Sequence, residues 1–216
     1  MQRRHLLLAL ASATAVATFG EALRAAPLDE ALARATASRA KLTTLRGSFR
    51  QKRVIGLLAT EVDSRGRLLM VRPDRLRWEL FPPDAITYWI GPEGFAMSTA
   101  DGVNKVGKAA AGRFAAVLSD LMVLLGGDLR KLKARYHLKV DEPEGRFVLT
   151  AKPRPKTNAR VAKHVSSLRM ETGPELWTVR RIVIEERNGD QSVIVFDKLE
   201  RDVPIKTSLV KPPSGK

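Results

Sequence analysis

Few side chains in this 216-residue sequence have the types and spacing that catalysis or metal binding requires. The three histidines are His5, His137 and His164, and none lies near a serine or carboxylate at a spacing typical of a triad or a metal site. Gly47-Ser48-Phe49 lacks the small-x-Ser-x-small pattern of a hydrolase nucleophile. Gly126-Gly127 follows a predicted helix, whereas a phosphate-binding glycine loop precedes one. We therefore predict no catalytic residue, no metal ligand and no cofactor, and expect His137 and His164 to be ordinary surface histidines.

Composition narrows the remaining chemistry. The chain has no cysteine, which excludes disulfides, thiolate metal sites, cysteine nucleophiles and lipid attachment through cysteine. Its formal net charge is +15, and such a surface favours anionic partners such as phospholipid headgroups, anionic glycolipids or nucleic acid. The alternative is that the charge serves only solubility and a loose attraction to an anionic membrane.

The N-terminus has the pattern of a bacterial export signal. Arg3 and Arg4 precede an apolar run from Leu6 to Phe19, and Gly20-Glu21-Ala22 fits a small-x-small cleavage site. The run is short and rich in alanine for a membrane span, although an uncleaved anchor is an alternative. We predict a signal peptide over residues 1–25 and a periplasmic protein, exported by the Sec or the twin-arginine route. Export makes nucleic acid the least expected anionic partner.

Most of the mature chain alternates between apolar and charged residues, as β-strands with one buried face do. From Arg75 to Leu80 three apolar residues alternate with three charged ones, and Pro73 and Asp74 before them fit a turn. The same pattern and short turn-rich connections predict about ten strands, nearly all antiparallel. They cover residues 45–53, 64–71, 75–80, 86–90, 94–98, 136–140, 146–152, 164–171, 176–186 and 191–200, with a last short strand near 205–209.

Two helices interrupt this pattern. An apolar stripe predicts one helix over residues 27–44, and apolar residues at helical spacing predict a second from Phe114 to Leu125. Residues 105–112 and 152–163 read as basic loops. We predict one mainly β domain over residues 26–210, followed by a flexible tail at 211–216. Its fold is a curled antiparallel half-barrel of about ten to eleven strands, covered by the N-terminal helix and the inserted lid helix.

Five segments in this order resemble the periplasmic outer-membrane lipoprotein carriers, the LolA family, to which the receptor LolB is related. They are 47–52, the unit Gly66…Val71-Arg72-Pro73…Arg77-Trp78, residues 82–94, residues 147–153 and residues 211–215. The resemblance implies an eleven-stranded half-barrel with a helical lid that holds the acyl chains of a lipoprotein. It also implies that Arg72, at the family's Arg-Pro position, controls the lid. LolB carries a lipidated cysteine and this chain has no cysteine, so this chain is more similar to the soluble carriers.

Candidate site residues follow from the apolar strand faces and the inserted helix. The lipid-binding cavity is predicted to be lined by Phe49, Leu76, Trp78, Leu80, Ile86, Tyr88, Phe95 and Met97. The lid is predicted to consist of Phe114, Leu118, Leu121, Met122 and Leu125, with Arg72 as its gate through hydrogen bonds to the carbonyls at the helix C-terminus. Periodicity alone also allows these residues to form a filled core.

The function implied by the resemblance is a non-enzymatic periplasmic carrier of lipoproteins or a related envelope lipid. Its expected partners are the acylated cargo, an inner-membrane releasing transporter, an outer-membrane acceptor and, transiently, an anionic membrane. The protein is expected to be a monomer that binds no nucleic acid. A regulatory protein that senses lipid or lipoprotein with the same fold is the second hypothesis. A hydrolase is the third, disfavoured because no nucleophile is recognisable.

Overall fold

The computed structural model describes residues 28–58, 60–99, 102–106 and 112–213. It contains the helices α1 (Leu28–Ala37), α2 (Gly112–Gly126) and α3 (Ala159–Ala162). The strands are β1 (Thr44–Ile55), β2 (Thr60–Val71), β3 (Arg75–Leu80), β4 (Ile86–Gly91), β5 (Gly94–Thr99), β6 (Gly102–Val106), β7 (Tyr136–Asp141), β8 (Val148–Pro153), β9 (Val165–Thr172), β10 (Val179–Glu186) and β11 (Gln191–Arg201). Short 3₁₀ turns occupy Gly56–Leu58, Leu129–Ala134, Pro143–Gly145 and Thr207–Val210. Within the described residues, no helix has the length and hydropathy needed to cross a membrane.

All eleven strands form one antiparallel sheet in the order β6-β5-β4-β3-β2-β1-β11-β10-β9-β8-β7. The long central strand β1 pairs with β2 on one side and with β11 on the other. Strands β6 and β7 are the two edge strands, each paired with one neighbour. The sheet is curled and not closed, which confirms the predicted half-barrel of ten to eleven strands.

The concave face of the sheet carries the apolar residues that the alternation predicted. Leu76 and Trp78 of β3 are buried, whereas the charged residues between them are only half-buried. Helix α1 packs its stripe of Ala31, Leu32 and Ala35 into this core with no exposed surface. Helix α2 lies over the same face and buries Leu124 and Leu125. Both helices therefore cover the apolar face, and the 3₁₀ turn Leu129–Ala134 and α3 add Leu129, Leu132 and Val161 to the same core.

Four of the predicted secondary-structure assignments are wrong. The sequence gives no sign of β6, which overlaps the predicted loop at 105–112, because an edge strand needs only backbone pairing with one neighbour. The expected strand at 205–209 is instead a 3₁₀ turn, Thr207–Val210, which packs against β2, β3 and β4 and buries Val210. The predicted loop at 152–163 contains α3. The first helix ends at Ala37, before the predicted Thr44, because a turn at residues 38–41 leads into β1.

The two ends of the half-barrel differ. We use "the rim" for the end of the half-barrel at which β1, β3, β8 and β10 end and β2, β4, β9 and β11 begin, together with the loops between them. The register places Ile55 opposite Thr60, Val54 opposite Gln191 and Glu186 opposite Val165 at this end. We use "the far end" for the opposite end of the half-barrel, where Thr44 pairs with Val71.

Candidate functional site

A cavity of about 290 Å³ lies between α2 and the rim half of the concave face. Its walls are mainly apolar, and the N-terminal half of α2 covers it with Val117, Leu118 and Leu121. Towards the rim the lining becomes polar, with Gln51 and Arg53 of β1 among the contributing residues. The space under the N-terminal half of α2 is therefore apolar inside and polar towards the rim.

Half of the predicted cavity residues line this space. Trp78, Leu80, Ile86 and Tyr88 contribute to its wall. The other four lie elsewhere: Phe49 and Leu76 are fully buried in the core, Phe95 lines a second cavity, and Met97 packs half-buried against the core.

The predicted lid residues divide in the same way. Leu118 and Leu121 line the cavity, and Leu125 is fully buried in the core. Met122 faces a second cavity of about 440 Å³ on the other flank of α2, together with Phe95. The side chain of Phe114 lies outside the described residues. Helix α2 thus separates two spaces instead of closing a single one.

Trp78 lines the first cavity, and the buried rings of Phe49 and Phe196 contact it from the core; we call these three residues the aromatic floor. Trp78 stacks on Phe49 with ring centroids 4.0 Å apart and an interplanar angle of 28°. Phe196 meets both rings edge-on at about 6.2 and 6.3 Å. Gly66 lies opposite Phe49 on β2, and a Cβ there would be 2.5 Å from the Phe49 ring and 2.2 Å from the Glu79 carbonyl oxygen. The glycine leaves the room in which the Phe49 ring lies flat against Trp78.

Polar groups surround the cavity near the rim. Asp190 is buried, accepts a hydrogen bond from the Gly56 amide at 3.1 Å and pairs with the Arg53 guanidinium at 3.1 Å. Asp84 also lines the cavity, and its Oδ2 atom is buried without a hydrogen-bond partner. Burial and the charge of Asp84 raise the pKa of the Tyr88 hydroxyl. The cavity therefore offers apolar contacts inside and ionic or hydrogen-bonding groups at its entrance, as an amphiphile requires.

A buried arginine joins α1 to the C-terminus of α2. Arg39 is only 1% exposed and donates a hydrogen bond to the carbonyl of Leu124 at 2.6 Å and another to the carbonyl of Leu176 at 3.0 Å. Burial lowers its pKa to about 10, so the guanidinium is still charged at neutral pH. Leu124 is in the last turn of α2, where carbonyls have no partner within the helix. Arg39 therefore anchors α2 at the far end.

Arg72 does not make the contact that the sequence predicted for it. Its Nη1 atom donates to the carbonyls of Arg39 at 2.8 Å and Leu42 at 3.0 Å, and none of its hydrogen bonds goes to α2. Arg72 fixes the turn that carries Arg39, and Arg39 in turn binds the C-terminus of α2. A sequence signal existed, because Arg39 continues the apolar stripe of α1, four residues after Ala35 and seven after Leu32.

A second polar contact holds the middle of α2. Asp120 is fully buried, accepts a hydrogen bond from the Tyr136 hydroxyl and lies 2.6 Å from Arg135 Nη2. Burial raises the pKa of the Asp120 carboxyl, although Tyr136 and Arg135 act in the opposite direction. Burial and the neighbouring carboxylate also raise the pKa of Tyr136. In the sequence, Asp120 and Ser119 are the two polar residues between Phe114 and Leu125.

His137 and His164 lie apart from the two cavities. His137 is exposed on β7 and His164 is half-buried just before β9. Among the described residues, no group of three or more histidine, aspartate or glutamate side chains is placed to hold a metal ion.

Comparison with known proteins is consistent with this architecture. The family model "Outer membrane lipoprotein carrier protein LolA" matches residues 40–212. No curated protein matches the chain. Among solved structures, a DUF1329 family protein from Desulfovibrio piger superposes with a TM-score of 0.53 at 11% identity, over 86% of this chain and 97% of that one. A LolA superfamily protein from Nitrosomonas europaea aligns over 87% and 99% of the two chains at 9% identity, with a TM-score of 0.46.

The complex of MucA and MucB from Pseudomonas aeruginosa is also similar, with a TM-score of 0.50 and 11% identity. That match covers 85% of this chain but only 60% of the matched chain, so the present protein spans well under two thirds of it. At these identities the superpositions establish the fold alone, and the family model carries the assignment. Because that model matches most of the sequence, the chain belongs to the family of outer membrane lipoprotein carrier proteins, LolA.

Proposed function

We propose that the protein is a non-enzymatic periplasmic carrier that shields the acyl chains of lipoproteins, or of a related envelope lipid, and moves them toward the outer membrane. The observation that carries this proposal is the apolar cavity under α2, open towards polar groups at the rim. Family membership supports a lipoprotein or lipid as the bound molecule. An inner-membrane releasing transporter and an outer-membrane acceptor are part of the proposal, because a soluble carrier must be loaded and unloaded.

The energetics of acyl transfer explain why such a cavity is needed. Each buried methylene contributes about 0.8 kcal/mol, so a chain of sixteen carbons is held in its membrane by roughly 12 kcal/mol. Transfer through water requires a site that replaces most of these contacts. The walls formed by Trp78, Leu80, Ile86 and the underside of α2 supply apolar contacts of this kind.

The size of the cavity implies that α2 moves when cargo enters. At about 290 Å³ the first cavity lies at the lower limit of ligand pockets, which span roughly 300–1,000 Å³. The second cavity, about 440 Å³, lies across the helix and is lined by Ala115, Ala116 and Met122 on its other flank. A shift of α2 towards that side enlarges the first space at the expense of the second. We propose that loading uses this movement.

In this proposal Arg72 controls α2 indirectly, through Arg39. Arg72 positions Arg39, and Arg39 holds the last turn of α2 at the far end, opposite the cavity entrance. Hydrogen bonds to charged groups contribute about 1.5–3 kcal/mol each, which acyl binding can offset. We propose that this end of α2 acts as the hinge of the lid and that its rim-side half opens.

Lipid analysis of the native protein tests the carrier. The mature chain, purified without detergent, is expected to release acylated lipid on solvent extraction, identified by mass spectrometry. Ile184 lines the cavity, and the Ile184→Trp variant is expected to fill it and to reduce binding of a fluorescent fatty acid at least tenfold. Leu138→Trp is the matched control, because Leu138 is half-buried on β7 away from the cavity. Equal fatty-acid binding by both variants would place the lipid elsewhere or remove the carrier function.

A regulatory role is the second candidate, supported by the fold shared with MucB in its complex with MucA. The two functions differ in turnover. A carrier releases bound lipid to acceptor vesicles, whereas a sensor keeps it and changes its affinity for a protein partner. Mixing lipid-loaded protein with acceptor vesicles distinguishes the two functions. Transfer of the labelled lipid to the vesicles supports the carrier, and its retention by the protein supports the sensor.

A further inference from the structure

Large apolar side chains are exposed mainly at the rim. Among the described residues, four large hydrophobic side chains are more than a third exposed: Leu57 at 90%, Leu209 at 44%, Phe81 at 37% and Val62 at 36%. Leu57, Phe81 and Val62 lie in the β1–β2 and β3–β4 connections or beside them, all on the rim. Leu209 lies in the 3₁₀ turn Thr207–Val210, against the strand β2 and its neighbours. Exposed apolar surface of this kind is therefore concentrated at the cavity entrance.

The β1–β2 hairpin projects beyond its neighbour β3. Gly66 pairs with Leu80, the last residue of β3, whereas β2 begins at Thr60, six residues earlier. At about 3.4 Å per residue the hairpin extends roughly 20 Å past β3. Leu57 is at its tip, and Val62, on the same projecting hairpin, lines the cavity. An apolar path thus runs from the exposed tip into the cavity.

Cations lie along another part of the same rim. Lys156, Arg160 and Lys163 are exposed on α3 and the segments that flank it, immediately before Val165, which lines the cavity. Arg160 also borders the second cavity, which Asp74 lines as well. Arg187 in the β10–β11 turn donates to the carbonyl of Ala162 at 2.7 Å and so holds α3 against the rim. None of the three cations is in an ion pair within the described part of the chain.

The carboxylates of the rim compensate this positive charge only in part. Glu61 pairs with Lys52 at 2.6 Å and Asp190 with Arg53 at 3.1 Å, so both are neutralised locally. Asp84 and Glu186 line the cavity and reduce the positive field at its entrance. Exposed cations also occur at the far end, among them Lys41 and Lys206, so the rim is distinguished by the exposed apolar hairpin that accompanies its cations.

We propose that the rim is a docking surface for an anionic phospholipid bilayer, with Leu57 entering the interface and Lys156, Arg160 and Lys163 lying on the lipid phosphates. Apolar insertion combined with basic residues is the usual basis of reversible interfacial binding. The proposal rests on the proposed function, since it places the cavity entrance on the bilayer. An acyl chain then passes between bilayer and cavity along the hairpin without crossing bulk water.

Vesicle sedimentation of the full mature chain tests this surface. Vesicles of equal parts phosphatidylglycerol and phosphatidylcholine are expected to bind the protein, whereas pure phosphatidylcholine binds it weakly. Each basic residue at an anionic surface contributes about a fivefold change in affinity, so the triple variant Lys156→Gln, Arg160→Gln, Lys163→Gln is expected to bind about 100-fold more weakly. The control is Lys41→Gln, Arg181→Gln, Lys206→Gln, which removes the same charge from exposed positions away from the rim.

Leu57→Ser tests the apolar part of the surface against Leu209→Ser, a control at an exposed leucine outside the rim. Leu57→Ser is expected to weaken vesicle binding severalfold and to leave binding that is fully abolished by salt. Equal losses for the rim and control variants would overturn the proposal, because net charge or hydrophobicity would then suffice. No vesicle binding by the wild type would also overturn it and would favour a protein partner on this face.

Fatty-acid binding in the same variants separates this proposal from the carrier function. Rim variants that bind the fluorescent fatty acid normally but no longer sediment with vesicles support both proposals. Normal vesicle binding with no fatty acid bound by the wild type would retain the docking surface and remove the carrier.

Discussion

Arg39 is the side chain whose loss is expected to affect stability most directly. Arg39→Met keeps most of the volume but leaves the buried carbonyl of Leu124 and the half-buried carbonyl of Leu176 without the donor that Arg39 supplies. Each unpaired buried carbonyl costs about 1–3 kcal/mol, and removal of the buried charge returns part of this, so we expect a loss of about 2–4 kcal/mol in unfolding free energy. Urea denaturation measures it. Arg46→Met, which removes a surface ion pair with Glu200, is the control and is expected to change stability by less than about 0.5 kcal/mol.

Asp120 is expected to make stability depend on pH in a defined direction. Its folded-state pKa is raised, mainly by burial, so the folded protein holds the proton more tightly than the unfolded chain. The resulting stabilisation is fully present below the unfolded pKa of about 3.9 and is lost as pH rises through the folded pKa. Asp120→Asn cannot ionise. The wild-type unfolding free energy, measured relative to this variant, should therefore decrease across that interval and then become constant.

Denaturation of both proteins over a pH series measures this difference. The partners of Asp120 are Tyr136, which stays neutral until alkaline pH because its own pKa is raised, and Arg135, which stays charged. Neither changes charge in the relevant interval, so Asp120 alone is responsible. Parallel pH profiles for wild type and variant would show that the carboxylate is not buried in solution.

At the level of the elements, Gly66 determines how β2 packs against the aromatic floor. Gly66→Ala would place a methyl group 2.2 Å from the Glu79 carbonyl oxygen, which is backbone and moves only with β3. Overpacking of this kind costs about 1–3 kcal/mol, and the shift should disturb the stacking of Phe49 on Trp78. Thermal melting and tryptophan fluorescence are the measurements. Ser64→Ala, two residues away on the same face, is the control and is expected to leave both nearly unchanged.

Ten of the eleven strands and both long helices were predictable from periodicity, because a half-buried strand alternates and a half-buried helix repeats every 3.6 residues. Strand β6 was not, since it is an edge strand that is recognised by its pairing with β5. The site was predictable only in part. Alternation identifies the inward face of β3, which holds both Leu76 and Trp78, but not how far along the barrel each residue lies.

The position of α2 decides which inward residues meet empty space. Its C-terminal half fills the far end, where Leu76 lies, and its N-terminal half stands off the sheet near Trp78. The partners of Arg72 and Arg39 were equally inaccessible to sequence patterns, because their acceptors are backbone carbonyls up to 137 positions apart in the chain. Long-range backbone acceptors have no side-chain signature.

At the scale of the whole molecule, bound lipid is expected to stabilise the fold. A ligand that binds only the folded state adds about 2.7 kcal/mol at a free concentration one hundred times its dissociation constant. Thermal melting with increasing fatty acid should therefore shift upwards for the wild type and for Leu138→Trp. It should not shift for Ile184→Trp, whose cavity is filled. A shift of the same size in all three proteins would mean that the fatty acid binds outside the cavity.

The aromatic floor gives the cavity the properties of a molecular ruler. An acyl chain that enters at the rim meets Trp78, stacked on Phe49 and in contact with Phe196, before it reaches the buried core around Leu76. Rings packed face to face and edge to face yield little, so the depth of the space is set by the fold and not by the ligand. Affinity for fatty acids of increasing length should rise until the terminal methyl reaches the indole and then stop rising, which would make this carrier selective for chain length as well as for amphiphilic character.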